Sequence, residues 1–137
     1  MKCLVPAVLL ALPVLHQSAA AQARAPALDC GNGPQTALNE CAAADFRAAD
    51  ARLNAAYRAI TRRLTDDPAR RSLVEAQRAW IRFRDAECEF DTKGYEGGSI
   101  RPMLFSECQE RVTEQRTADL NAYLSCNRDG CAVPPTR

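Results

Sequence analysis

The stretch AQRAWIRFRDAEC, Ala76 to Cys88, decides how this chain folds. It carries the only tryptophan, Trp80, between a glutamine, an arginine and a cysteine. At 100° per residue, Leu73, Gln77, Trp80, Arg84 and Cys88 fall within an arc of about 80° on one helix face. Turned inward, that face buries an amide and a guanidinium beside an indole and a sulfur. Such groups go inside only when something meets them. The stretch therefore predicts a helix whose inner face is answered by polar side chains on a neighbour.

The neighbour lies upstream. Leu38, Cys41, Ala49, Leu53, Ala56, Tyr57, Ile60 and Leu64 form an apolar stripe over filler that is mostly Ala and Arg, both good helix formers. Residues 24–35, with Pro26, Gly31, Gly33 and Pro34, read as an irregular lead-in, and Thr36 as an N-cap. The first helix is expected over 36–65. Thr65-Asp66-Asp67-Pro68 is a stop and restart, with Asp67 as cap and Pro68 in the first turn of a second helix over 68–90. The connection is short, so the two helices form an antiparallel hairpin. Three glycines in DTKGYEGGS mark 91–99 as a loop. Ser99 would cap a third helix over 100–124, where Pro102 is tolerated in the first turn. Leu104, Cys108 and Val112 point inward, while Leu120 and Tyr123 lie off that stripe.

A hairpin turning near residue 66 pairs residues whose numbers total about 133. Trp80 then faces Leu53, Arg84 faces Ala49 and Asp50, and Gln77 faces Ala56 and Tyr57. The expected polar cluster joins Asp50 to Arg84 and sets Gln77 or Asn54 beside Tyr57. Its plain role is to fix helix register. Trp80 and Arg84 would suit a partner surface, but a tryptophan on an apolar stripe belongs first to a core. That core is expected from Leu38, Leu53, Tyr57, Ile60, Leu64, Leu73, Trp80, Ile81, Phe83, Leu104 and Val112.

The chain opens MKCLVPAVLLALPVLHQSAAAQA, with a charged start, an apolar run and a small-x-small site at Ala21-Gln22-Ala23. This reads as a secretory signal peptide over 1–23. Its apolar run is too short to span a bilayer, and Asp29 before Cys30 does not suit lipidation. Cleavage near Ala23 would leave a periplasmic or secreted chain with no stable membrane insertion. Six cysteines follow: Cys30, Cys41, Cys88, Cys108, Cys126 and Cys131. An even count in a small exported domain implies disulfides, and six cysteines allow 15 pairings. Pairing by sequence neighbours gives Cys30–Cys41, Cys88–Cys108 and Cys126–Cys131. The chief competitor joins Cys41 to Cys88. The expected fold is all-α, a small disulfide-stapled three-helix domain over 24–131, built on a long antiparallel helical hairpin, with a disordered tail at 132–137.

Several chemistries are set aside. The single histidine, His16, lies in the leader, which removes imidazole-based nucleophilic catalysis and histidine-ligated metals. No C-x-x-C spacing occurs. Without Lys2, 17 basic residues face 17 acidic ones, so nothing in the bulk charge calls for nucleic acid or an anionic membrane. Carboxylate chemistry has no further sign of a site. The chain reads as a non-enzyme without cofactor or metal. For 91–99 the plain reading is a flexible linker. The functional one is a partner-binding loop, with Tyr95 as anchor, Asp91 and Glu96 for a basic partner, and Gly97-Gly98 allowing close backbone approach.

CGNGPQTALNECAAADFRAADARLNAAY, QRAWIRFRDAEC, YEGGSIRPMLFSEC and Arg116-x-x-x-Leu120 together resemble the lysozyme inhibitor LprI N-terminal domain family, over about Cys30 to Cys131. The specific part is D-x-x-L-N-x-x-Y at Asp50, Leu53, Asn54 and Tyr57, joined to Q-x-x-W-x-x-x-R-D-x-x-C from Gln77. The resemblance implies an exported, disulfide-bonded, all-helical domain and a protein partner, lysozyme, after the member that named the family. The alternative is an envelope structural or adaptor module that blocks no enzyme.

Overall fold

The computed structural model describes residues 28–127 and 130–134. The expected leader lies outside the described residues. Three helices carry the fold: α1 (Gln35–Arg63), α2 (Asp67–Asp91) and α3 (Arg101–Ser125). A single 3₁₀ turn, Lys93–Tyr95, sits between α2 and α3, and no strand occurs among the described residues. All three disulfides join sequence neighbours: Cys30–Cys41, Cys88–Cys108 and Cys126–Cys131. Cys41 is therefore not joined to Cys88.

The helix boundaries have local causes that differ from the expected caps. Helix α1 starts one residue before Thr36, where the Pro34 carbonyl accepts from Ala37 and Leu38. Among the described residues no side chain caps it. Asp66, not Asp67, caps α2: its carboxylate accepts from the Ala69 amide at 2.8 Å. Pro68 then falls in the first turn, where its missing N–H is not needed. Ile100 rather than Ser99 precedes α3, and the Ser99 carbonyl instead accepts from Asn39 at 3.1 Å. In the lead-in, the Asp29 carboxylate accepts from the amides of Gly31 and Asn32. These two bonds hold its carboxyl below the usual aspartate range. A side chain at Gly33 would meet the Asp29 carbonyl at 2.3 Å, so only glycine fits there.

Helices α1 and α2 run antiparallel, with Arg70 on the Leu64 carbonyl near the turn and Arg84 beside Asp50 further along. Helix α3 is parallel to α1. Gln35 meets Met103, Arg52 meets Glu114, and Arg63 donates to the Leu124 carbonyl at 2.7 Å. The closest backbone approach in the bundle is between α1 and α3. The reason is side-chain size. Helix α1 buries Ala37, Ala42, Ala49 and Ala56, whereas α2 brings Leu73, Gln77, Trp80 and Arg84 inward and stands further off.

The core has two parts. Leu53, Ala56, Ile60, Leu64, Leu120 and Val133 form the larger one, near the α1–α2 turn. The Cys88–Cys108 disulfide and Val112 form the smaller one at the far end. Trp80 packs against both and joins them. Helix α3 meets both neighbours, so its buried surface is wider than one stripe. That is why Leu120 is fully buried, contrary to the expected stripe, while Tyr123 is 43% exposed. Ile81 and Phe83 were expected in the core but flank the inward arc of α2, at 39% and 56% exposed. Val133 inserts into the larger core, so the chain stays docked beyond Cys131; residues 135–137 of the expected tail lie outside the described residues.

Thr113 is fully buried, and among the described residues its hydroxyl has no hydrogen-bond partner. Thr113→Val keeps the shape and removes the unpaired hydroxyl. It should raise stability by about 1 kcal/mol in urea denaturation. Ala49, with no exposed surface, should behave oppositely: Ala49→Leu overpacks the bundle and should cost about 1–3 kcal/mol in the same measurement.

Candidate functional site

Two groups of side chains stand out, one inside the bundle and one at its disulfide end. The inner one is centred on Arg84, whose side chain is 11% exposed. Its Nε and Nη2 both donate to Asp85 Oδ1 at 2.8 Å, and Nη1 lies 3.7 Å from Asp50 Oδ1. Its guanidinium also lies 5.1 Å from the centroid of the Phe46 ring and 5.3 Å from that of Trp80. Gln109 of α3 donates to the same Asp85 oxygen at 3.1 Å, and Asn54 donates to Asp50 Oδ2 at 2.8 Å. One buried cation thus gathers two carboxylates and two rings, and through Asp85 it reaches the third helix.

Of the six residues expected together, the structure brings Asp50, Asn54, Trp80 and Arg84 into one cluster. Gln77 is placed elsewhere: its Oε1 accepts from Arg116 Nε of α3 at 3.4 Å. Tyr57 packs on the larger core, and its carbonyl accepts from Thr61. Asp85 and Phe46 were not anticipated. Asp85 follows Arg84 directly and points to a different face of the helix, but a guanidinium is long enough to fold back to it. Phe46 lies one helical turn before Asp50 and was the signal available. Among the described residues no group of His, Cys, Asp or Glu is placed to hold a metal ion.

The outer group is built on 91–99. Thr92 is buried, and its hydroxyl donates to the Cys88 carbonyl at 2.8 Å, anchoring the loop at the disulfide. Successive backbone bonds follow, Tyr95 to Thr92, Glu96 to Lys93 and Gly98 to Tyr95. Gly97 takes φ of 79°, a conformation glycine adopts freely. The loop is therefore a chain of closed turns. Tyr95 is half exposed at its crest, and Lys93 pairs with Glu96 at 2.7 Å. Beside it lies an open depression of about 470 Å³ lined by Asp91, Thr92, Tyr95, Leu104, Glu107, Cys108 and Arg111. Asp91 sits 3.4 Å from Arg111 on one rim.

From Glu107 an acidic edge continues along α3. Burial, then the nearby Asp45 and Glu114 carboxylates, and then Glu107, push the Glu110 carboxyl above the usual glutamate range, against a smaller opposing pull from Arg52. This concentration of acid was not visible in the balanced total charge, because Asp45 comes from α1 and the rest from α3.

Arg84→Ala should cost about 3 kcal/mol or more, since it empties the space between two rings and strands two acids. Asp85→Ala should cost about 1–2 kcal/mol, and Asp50→Ala less than about 1, both carboxylates being partly solvated. Urea denaturation that ranks Asp50 above Asp85 would reverse the assignment of the main counter-ion. Glu110→Gln should slightly raise the melting temperature at neutral pH. A raised carboxyl pKa means the ionised form is disfavoured in the folded state. The gain should therefore vanish below about pH 4, where the glutamate is protonated in both states.

The helices, their disulfides and the cluster around Arg84 can be set beside known proteins. An uncharacterized protein of Rhizobium meliloti (strain 1021) is 40% identical over 120 residues, covering 78% of this chain and 86% of that protein. No solved structure matches. The family model described as lysozyme inhibitor LprI matches residues 30–120, a span that holds both the Arg84 cluster and the 91–99 loop. The chain belongs to the lysozyme inhibitor LprI family.

Proposed function

We propose that this protein is exported, loses its leader near Ala23, and binds and inhibits lysozyme or a related cell-wall hydrolase without being an enzyme itself. Family membership supports the inhibitor reading. Three disulfides in a domain of this size support an oxidising compartment such as the periplasm. Among the described residues no helix is long and apolar enough to cross a membrane.

The single observation that carries the contact surface is the acidic edge beside the 91–99 loop. Animal lysozymes are basic, and a partner of that sign is steered by local potential more than by net charge. Asp45, Glu107 and Glu110 supply that potential, Glu114 being paired with Arg52, on a protein whose formal charge is only +1. Tyr95 supplies an aromatic anchor on a base held by Thr92 and the Cys88–Cys108 bridge. The bound surface would comprise Tyr95, Glu96, Gly97 and Gly98 with Asp91, bordered by Glu107. The Arg84 cluster would act behind it, holding α2 and α3 in register.

The test is clearance of a cell-wall suspension by lysozyme, with and without the purified oxidised protein. Slowing is expected, and it should weaken as salt is raised. Tyr95→Ala and Glu96→Ala should each weaken it at least several-fold with unchanged melting curves. Normal inhibition by both variants would remove the loop from the contact. No slowing at high micromolar protein would favour the envelope adaptor.

A further inference from the structure

Helix α2 has a second stripe, on its outer side. Ala76, Ala79, Phe83, Ala86 and Phe90 recur at spacings of three and four, and all five are exposed. Phe90 is 80% exposed and Phe83 56%, the two most exposed large hydrophobic side chains among the described residues. A 3-4-3-4 repeat of apolar residues is the pattern by which one helix packs along another. The inward stripe of α2 already satisfies the bundle, so among the described residues this outer one has no partner within the chain. Exposed alanines are ordinary on a helix, but two phenylalanines exposed a heptad apart on one face leave a large apolar surface in water.

We propose that this face seats the same face of a second copy of the chain, antiparallel across a two-fold axis. The choice of occupant follows from the order of large and small residues. In an antiparallel pair with Phe83 level with Ala86 of the second copy, Phe90 falls level with Ala79 of the second copy. The two-fold axis repeats both contacts. Each ring then meets a methyl group, and the alanines let the backbones come close enough for the rings to be covered. A parallel pair in register sets ring against ring and methyl against methyl, which leaves gaps between the rings.

Charge agrees with this register. Arg82 and Glu89 flank the stripe on one side, a heptad apart. In the antiparallel pair, Arg82 faces Glu89 of the second copy, and the axis makes that contact twice. Among the described residues Arg82 makes no ion pair within its own chain. Glu89 uses one carboxylate oxygen on Arg101 and keeps the other. The face is self-complementary in shape and charge, as a two-fold interface requires.

In this register the paired part of the stripe runs from Ala79 to Phe90, about 17 Å at about 1.5 Å per residue. That is short for a stable interface, so the dimer is concentration-dependent, with Kd on the order of 10–100 μM. The acidic edge lies on α1 and α3 and stays open in the dimer. The two 91–99 loops sit at opposite ends of the paired α2 helices.

Analytical ultracentrifugation of the oxidised protein from low to high micromolar concentration tests this. A monomer–dimer equilibrium is expected. Phe90→Glu and Phe83→Glu should each raise Kd at least tenfold, and both positions are exposed, so the melting curve of the dilute monomer should not move. Arg82→Glu should weaken the dimer several-fold, and Arg82→Glu combined with Glu89→Arg should restore it. A protein that stays monomeric to about 0.5 mM, or a dimer indifferent to Phe83→Glu and Phe90→Glu, overturns the proposal. A dimer weakened by those variants but not restored by the charge exchange overturns the antiparallel register. Inhibition of lysozyme is read separately, so neither result decides the other.

Discussion

A buried guanidinium is the constraint on which this bundle depends. Arg84 cannot leave water without anions and polarisable surface around it. It finds Asp50 and Phe46 on α1, Trp80 and Asp85 on α2, and through Asp85 it engages Gln109 on α3. Those contacts hold together only in one rotation of α2 and one register of all three helices. An apolar residue of similar volume in place of Arg84 would tolerate a helix that slid or rolled. The cluster therefore contributes less to raw stability than to the choice among packings that an alanine-rich surface would otherwise allow. The Cys88–Cys108 bridge, one turn further along, has the same effect by covalent means.

The bundle divides bulk unequally, and this follows from that constraint. Helix α2 brings the large groups, so α1 and α3 are left to meet through Ala49, Ala56 and Thr113 at close range. Close parallel packing of two helices requires small residues somewhere, and α1 concentrates them on its inner face. Trp80 then spans the space that α2 keeps open and links the larger core to the disulfide end. Removing bulk from α2 would not simply leave a cavity. It would remove the spacer that lets α1 and α3 come together while α2 covers them.

Much of this was legible in the sequence. The arc of Gln77, Trp80, Arg84 and Cys88 identified the inward face of α2, because period is a property of one helix and needs no partner. The hairpin register placed Arg84 at Asp50 to within one residue. Disulfides between sequence neighbours followed from chain proximity. What stayed hidden depended on α3, whose place in the bundle no local rule determines. Leu120, Gln109 and the Arg116–Gln77 contact are sensible only once α3 lies parallel to α1. Val133 reads as tail because it stands alone among prolines near the chain end, although the core reaches it across the Cys126–Cys131 loop. The caps were displaced by one residue where two similar capping residues adjoin, as at Asp66 and Asp67.

Net charge was the least informative quantity in the chain, for a geometric reason. Acids and bases alternate along it closely enough to cancel in any count, yet a helix sorts them by angle and a bundle then sorts them by side. Asp45 and Glu110 are 65 positions apart in sequence and close enough in space to raise a carboxyl pKa. The same folding step leaves Arg82 and Glu89 beside an exposed apolar stripe on α2, where sign matters only if another helix arrives. A near-neutral chain of this kind can therefore present an anionic surface to one partner and a self-complementary one to its own copy, with both determined by helix rotation, not by composition.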